Sequence, residues 1–156
     1  MVTHFLYPVL REVACTMIMK IYIASDHAGF DLKKAILHKY PQMIDLGTDS
    51  DAPVDYPDFA QKLALKLIQD PMAFGVLICG SGSGVCIAAN RFKHIRAVNC
   101  LSVEMARLAR SHNDANVLCL GERLLDTGTA FSILDVFINT EFSGEERHKR
   151  RVEKMS

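Results

Sequence analysis

Residues 76–90, VLICGSGSGVCIAAN, decide the fold of this chain. The apolar run predicts a buried strand that ends at Cys79, and the segment after the glycines predicts a helix. Glycines at positions 80, 82 and 84 allow a sharp turn with exposed backbone N–H groups. The positive end of the following helix faces the same turn. The sequence therefore places a thiol beside an anion-stabilising loop, at the sheet edge where α/β proteins bind ligands.

Strand-like apolar runs alternate with helical patterns along the rest of the chain. Continuous hydrophobicity in these runs is typical of a parallel sheet that is covered on both faces. The sequence predicts an α/β fold, a three-layer α/β/α sandwich with a five-stranded parallel, Rossmann-like sheet. The predicted strands are 20–25, 43–46, 75–79, 96–100 and 116–120. The predicted helices are 29–39, 56–68, 84–92, 103–111 and 128–139.

The pattern divides the chain into three segments. They are an N-terminal extension at 1–18, the α/β domain at 19–143, and a basic helix or arm at 144–156. The extension is apolar, but it lacks the basic start of a signal peptide. No apolar run is long enough to span a membrane.

Composition excludes several classes of function. Hydrophobic residues make up 49% of the 156 residues, which suits a folded domain, and 18 basic residues balance 18 acidic ones. That balance argues against bulk attraction to nucleic acid or to a charged membrane. The five cysteines show no disulfide or zinc pattern, so we expect a reducing, cytoplasmic location and no metal.

The glycine loop and its cysteine leave several chemistries open. The loop lacks both the G-x-G-x-x-G spacing and a Walker lysine, so a small anion or an enediolate fits it better than a nucleotide. The amide-rich turn favours the thiolate of Cys79, which could act as nucleophile or as general base. Ser81 could relay a proton, hold a hydroxyl or serve only as a turn residue. The other cysteines near predicted elements, Cys86, Cys100 and Cys119, are expected to be packing residues.

Two histidine clusters are further candidates. Asp26 and His27 directly follow the first strand, where Asp26 could cap a helix or contact a ligand. We expect this strand to lie beside the third, because that pairing brings Asp26 close to Cys79. His112 follows the fourth helix and could be only a partner of the helix dipole, but Asn113 adds a hydrogen-bond donor and acceptor beside it.

Arginines form the last candidate cluster. Arg123 follows the fifth strand, and Arg147 and Arg151 lie four residues apart, so a helix would present both on one face. A solvated basic end or a small nucleic-acid patch is the alternative, although nearby glutamates dilute the charge. Two arginines on one face suit a phosphate monoester.

Together these motifs resemble the ribose-5-phosphate isomerase B family, which also contains allose- and galactose-6-phosphate isomerases. The resemblance covers residues 19–153 and rests on SDHAGF, DYP, CGSGxG, AANR, HNDAN, GER and RHxRRV. It implies an aldose–ketose isomerase of the pentose phosphate pathway that interconverts ribose 5-phosphate and ribulose 5-phosphate through an enediolate. A hexose 6-phosphate isomerase and a non-catalytic sugar-phosphate-binding module stay open as alternatives. We expect no cofactor, and the balanced charge argues against a nucleic-acid or membrane partner.

The resemblance also implies roles for single residues. Cys79 matches the proton-abstracting cysteine; another branch of the family uses a glutamate at the position of Val85. His112 matches the residue that opens the sugar ring, and Ser81 is the third predicted catalytic residue. The predicted substrate-binding residues are Asp26, His27, Tyr56, Gly80, Ser81, Gly82, Ser83, Gly84, Asn113, Arg123, Arg147 and Arg151. The family forms homodimers or tetramers with shared active sites, so we expect the C-terminal segment to pack on a partner subunit.

Overall fold

The computed structural model describes residues 19–155, so the predicted extension at 1–18 lies outside the described residues. The strands are β1 (Ile21–Ser25), β2 (Ile44–Asp45), β3 (Phe74–Cys79), β4 (Ala97–Asn99) and β5 (Val117–Gly121). They form one parallel sheet in the order β2-β1-β3-β5-β4. The expected pairing of the first and third strands is confirmed, with Ser25 opposite Ile78.

Helices cover both faces of the sheet. They are α1 (Phe30–Lys39), α2 (Tyr56–Gln69), α3 (Ser83–Ala89), α4 (Val103–Asn113), α5 (Thr127–Asn139) and α6 (Glu146–Glu153). A short 3-10 turn, His27–Gly29, precedes α1. The three-layer α/β prediction is therefore confirmed.

The central strand β3 shows why its sequence is continuously apolar. Successive side chains of a strand point to opposite faces. Val76 and Ile78 belong to the core beneath α1, α4 and α5, while Leu77 and Cys79 belong to the core beneath α2 and α3. Every residue of β3 is buried, as expected for a central strand between two helical layers.

Some element boundaries differ from the predicted ones. Helix α4 runs two residues past the predicted end, because the residue that ends it is Asp114, which adopts a left-handed conformation with φ 46°. His112 and Asn113 therefore belong to the last turn of α4 rather than to a loop after it. Strand β2 is shorter than predicted and its two residues are exposed. The predicted C-terminal helix or arm contains a helix, α6.

Candidate active site

A cavity of about 510 Å³ opens at the carboxyl edge of the sheet, where β1 and β3 end. Eight of the predicted site residues line it, namely Asp26, His27, Tyr56, Cys79, Gly80, Ser81, Gly84 and Arg123. Ala28 and Leu124 line it as well, and no motif in the sequence marks these two apolar side chains as site residues. The pairing of β1 with β3 thus brings Asp26, His27 and Cys79 to one cavity.

Cys79 lies at the floor of this cavity with 4% of its surface exposed. Its Sγ accepts a hydrogen bond from the backbone N–H of Gly82 at 3.2 Å. An N–H donor aimed at sulfur stabilises the thiolate, which is the reactive form of a cysteine. The arrangement suits a nucleophile or a base that works in the anionic state.

Close packing explains why the loop over Cys79 needs glycines. Gly82 adopts φ 75°, a left-handed conformation that side chains other than glycine rarely adopt. At Gly121, on the neighbouring β5, an added Cβ would lie 2.5 Å from the carbonyl carbon of Ser81. The loop therefore lies directly on the end of β5, which holds the backbone N–H of Gly82 against the thiol.

Asp26 performs the capping role predicted for it and also reaches the cavity. Its Oδ1 accepts hydrogen bonds from the N–H groups of Ala28 and Gly29 at 3.0 and 3.1 Å. His27 is held next to it, because its Nδ1 lies 3.1 Å from the carbonyl oxygen of Val54. Both side chains are thus fixed at the carboxyl edge before any ligand arrives.

Arg123 and Tyr56 form two walls of the cavity. The N–H of Arg123 donates to the carbonyl oxygen of Gly80 at 3.0 Å, and a Cβ at Gly80 would lie 3.3 Å from the guanidinium group. A Cβ at Gly84 would lie 2.8 Å from Cζ of Tyr56. Because these two glycines have no side chains, the Arg123 guanidinium and the Tyr56 ring approach the loop closely.

Gly82 and Ser83 do not line the cavity directly. Gly82 instead provides the N–H that reaches Cys79, and Ser83 begins α3. Their predicted roles as direct substrate ligands remain predictions.

Four predicted site residues lie elsewhere, namely His112, Asn113, Arg147 and Arg151. Asn113 ends α4 just before β5 begins, and β5 then crosses the sheet from its amino edge to its carboxyl edge. Val117 pairs with Gly75 and Gly121 pairs with Cys79, which separates the two ends by about 13 Å along the strand. Within one chain, His112 and Asn113 therefore lie at the opposite edge of the sheet from Cys79. Arg147 and Arg151 lie on α6, which packs on that end of α4 through the stacked rings of His148 and His112.

His112 packs against His148, a histidine that is not among the predicted site residues. The rings of His112 and His148 stack with centroids 4.2 Å apart and 11° between their planes. His148 is 4% exposed, and its Nε2 has no hydrogen-bond partner among the described residues. Burial lowers the pKa of His148, and the nearby charges of His112 and Arg147 lower it further. The motif RHxRRV contains this histidine, but only its burial distinguishes it.

The remaining described cysteines differ from one another. Cys100 and Cys119 are buried as expected, and burial raises the pKa of Cys100 to about 12 and that of Cys119 well above its ordinary value. Cys86 is only half-buried, and its contact with the Cys119 thiol lowers its pKa to about 7. The prediction of a plain packing residue is therefore incomplete for Cys86.

Two further properties of residues 19–155 bear on function. No group of three or more His, Cys, Asp or Glu side chains in this part of the chain is arranged to hold a metal ion. No helix in it is both long enough and apolar enough to cross a membrane.

The fold and the cavity define a class of protein: a three-layer α/β domain with a cysteine and a glycine loop at the carboxyl edge of a parallel sheet. The chain belongs to the Ribose/Galactose Isomerase family, whose sequence profile matches residues 21–155.

Individual relatives are similar over nearly their whole length. A probable ribose-5-phosphate isomerase B from Mycoplasma pneumoniae is 45% identical over 140 residues, which cover 86% of this chain and 91% of the relative. A crystal structure of a ribose 5-phosphate isomerase from Thermotoga maritima superposes on this chain with a TM-score of 0.84. The two sequences are 48% identical, and the match covers 88% of this chain and 97% of the Thermotoga maritima chain. The enzyme from Mycoplasma genitalium, solved with bound ribulose 5-phosphate, is 43% identical over 89% of this chain and 95% of its own, with a TM-score of 0.82.

Proposed function

We propose that this chain is an aldose–ketose isomerase that interconverts D-ribose 5-phosphate and D-ribulose 5-phosphate. Family membership and relatives that carry this name along nearly the whole chain support the proposal. The observation that carries it is Cys79, whose Sγ accepts the Gly82 N–H at the floor of a cavity also lined by Asp26 and His27. Such a site suits removal of a proton from a carbon next to a carbonyl group.

In this proposal the Cys79 thiolate takes the proton from C2 of the open-chain aldose. The C–H electron pair forms a C1–C2 double bond, and negative charge develops on O1. Backbone N–H groups of the glycine loop stabilise that charge. The thiol then returns its proton to C1 while the O2 hydroxyl proton moves to O1, which leaves the ketose. Ser81, at the rim of the same cavity, is the proposed relay between the two oxygens.

The other cavity residues position the substrate. In this proposal Asp26 and His27 contact the sugar hydroxyl groups, and Tyr56 lines the same cavity. Arg123 supplies a cation beside the loop, where a phosphate group would pair with its guanidinium. Binding energy from a group remote from the reaction helps to hold C1 and C2 against the thiol.

A second copy of the chain completes the site in this proposal, as a homodimer or a tetramer. The exposed arginines Arg147 and Arg151 lie on α6, and His112 and Asn113 end α4, all away from the Cys79 cavity. An isologous pairing would place these residues over the partner's cavity, where the arginines bind phosphate and His112 opens the sugar ring. We further propose a cytoplasmic location, because the described cysteines are free thiols.

A hexose 6-phosphate is the second candidate substrate. The name of the matching family includes both ribose and galactose, so its members act on sugars of different chain length. The same thiol chemistry would apply, because the reacting atoms are again C1 and C2.

The proposal is tested by comparing turnover of ribose 5-phosphate, allose 6-phosphate and galactose 6-phosphate by the purified chain. We expect ribose 5-phosphate to react with the highest kcat/KM. Faster turnover of a hexose phosphate would shift the assignment to that substrate. Binding of all three without any turnover would identify a non-catalytic sugar-phosphate-binding module.

Cys79→Ala tests the role of the thiol. Loss of a general base reduces kcat by about 10²–10⁴-fold, whereas calorimetry should show that ribose 5-phosphate still binds. Cys86→Ala is the matched control, because this half-buried cysteine lies on α3 and does not line the cavity. Near-normal activity of Cys79→Ala would remove Cys79 from the proposed role.

A further inference from the structure

Asn99 reaches the glycine loop from the far side of β5. It is the last residue of β4, and it lies opposite Cys119 in the sheet. Its Nδ2 donates to the carbonyl oxygen of Ser81 at 3.1 Å and to Oγ of Ser83 at 3.3 Å. Neither the motifs nor the cavity lining includes Asn99. Its side chain nevertheless contacts the part of the loop that faces the thiol.

The carbonyl group that Asn99 binds belongs to the same peptide as the N–H that reaches Cys79. The peptide between Ser81 and Gly82 is planar, so its oxygen and its N–H move together. Asn99 holds the oxygen, and the N–H donates to Cys79 Sγ at 3.2 Å. A donor on the oxygen fixes the plane and polarises the peptide, which strengthens the hydrogen bond at its other end.

Packing and polarity both fix the orientation of the Asn99 side chain. A Cβ at Gly82 would lie 2.9 Å from Cγ of Asn99, so the asparagine rests directly on the glycine. A reversed carboxamide would set Oδ1 against the carbonyl oxygen of Ser81, where two acceptors would repel. Oδ1 is buried and has no hydrogen-bond partner among the described residues, so the side chain acts here through its N–H group.

We propose that Asn99 is a positioning residue for the isomerisation: it holds the Ser81–Gly82 peptide in the orientation that stabilises the Cys79 thiolate. The kinetic part of this inference rests on the proposed function. The chemical part, the reactivity of Cys79 itself, does not depend on any substrate.

Two variants of Asn99 test the inference by thiol reactivity. Asn99→Leu removes the donor at similar size, and Asn99→Asp keeps the shape but puts a carboxylate against the Ser81 carbonyl. In a Cys86→Ala background, iodoacetamide modification of Cys79 is followed by mass spectrometry across a range of pH. We expect the rate near neutral pH to fall about three- to tenfold in Asn99→Leu, and further in Asn99→Asp. The limiting rate at high pH, where the thiol is ionised in every variant, should not fall, because a thiolate that is less stabilised is at least as nucleophilic.

Kinetics give the second readout. We expect kcat to fall about three- to tenfold in Asn99→Leu while KM for ribose 5-phosphate changes less than about twofold. Asn139→Leu is the matched control, because its Nδ2 binds a helix carbonyl on α5, away from the cavity. Folding of each variant is checked by circular dichroism.

The outcomes separate the inference from the proposed function. Unchanged alkylation profiles in both folded Asn99 variants would overturn the inference, whatever the activity of the parent. A parent without isomerase activity would overturn the proposed function, and a slower Cys79 reaction in Asn99→Leu would still support the role of Asn99. A fall in the limiting rate at high pH would show that the variants restrict access to Cys79, which would also count against the inference.

Discussion

At the scale of single residues, the geometry of the site depends on glycines, which have no side chain. The loop over Cys79 approaches β5 closely at Gly121 and α2 closely at Gly84, where an added Cβ would meet Ser81 and Tyr56. These glycines allow backbone N–H groups, which carry no mobile atoms, to face the thiol. A fixed set of donors stabilises developing charge without reorganisation during the reaction.

Gly82→Ala tests this dependence on backbone geometry. The left-handed conformation at φ 75° disfavours a side chain by about 1–2 kcal/mol, and the new methyl group would press on Asn99. We expect lower stability in urea unfolding and a clear loss of kcat. Gly128→Ala is the control, because a Cβ there meets only the end of the Asp126 side chain, at 3.3 Å. Equal kcat in parent and Gly82→Ala would show that the loop tolerates a different backbone.

At the scale of elements, α6 is attached to α4 through a histidine. His148 is the one fully buried residue of α6, whose other residues are mostly charged and exposed, and it stacks on His112. Because the pKa of His148 is lowered in the fold, mainly by burial, its neutral form is favoured there. Protonation therefore opposes the docking of α6, which also carries Arg147 and Arg151.

This linkage predicts a pH-dependent stability. The pKa of His148 in the folded chain lies below its unfolded value of about 6.5. At pH values between these two pKa values, the unfolded chain therefore binds more protons than the folded chain. The free energy of unfolding should fall as pH falls through about 6.5 and show no contribution from His148 at higher pH. Urea unfolding at a series of pH values should give a weaker dependence for His148→Phe. His38→Phe, at an exposed position on α1, is the control and should keep the parent's dependence. An unchanged pH dependence in His148→Phe would contradict the linkage.

At the scale of the whole molecule, the predicted site residues fall into two groups at opposite edges of the sheet. The Cys79 cavity contains the thiol and Arg123, whereas His112, Arg147 and Arg151 lie near α4 and α6. A shared site between two copies is the proposal that unites them.

Mixing two variants, each defective in a different half of the proposed site, tests the shared site. One carries Cys79→Ala, and the other carries Arg147→Ala together with Arg151→Ala. In a mixed dimer with shared sites, one site lacks both the thiol and the two arginines. The other site has the thiol of one subunit and the arginines of its partner. Mixing equal amounts and allowing subunits to exchange should therefore restore about a quarter of the parent activity. Each variant refolded alone is the control, and no recovery on mixing would contradict the shared site.

Much of the fold could be predicted because its signals are local. The continuous apolar run before Cys79 indicates a central strand, since both faces of β3 are buried. Strand β2 was harder to delimit, because its two residues are exposed and carry little pattern. The end of α4 depended on Asp114 adopting a left-handed conformation, which a helical periodicity does not reveal.

The sequence by itself determined the class of fold, the position of Cys79 at the end of a strand and the loop of N–H groups beside it, because these follow from hydrophobic pattern and glycine spacing. Only the tertiary structure decided which polar clusters meet. Strand order joins Asp26 and His27 to Cys79 and leaves His112 and the α6 arginines at the other edge. The roles of Asn99 and His148 also emerged only there, because a residue's burial and its hydrogen-bond partners depend on which elements pack against it.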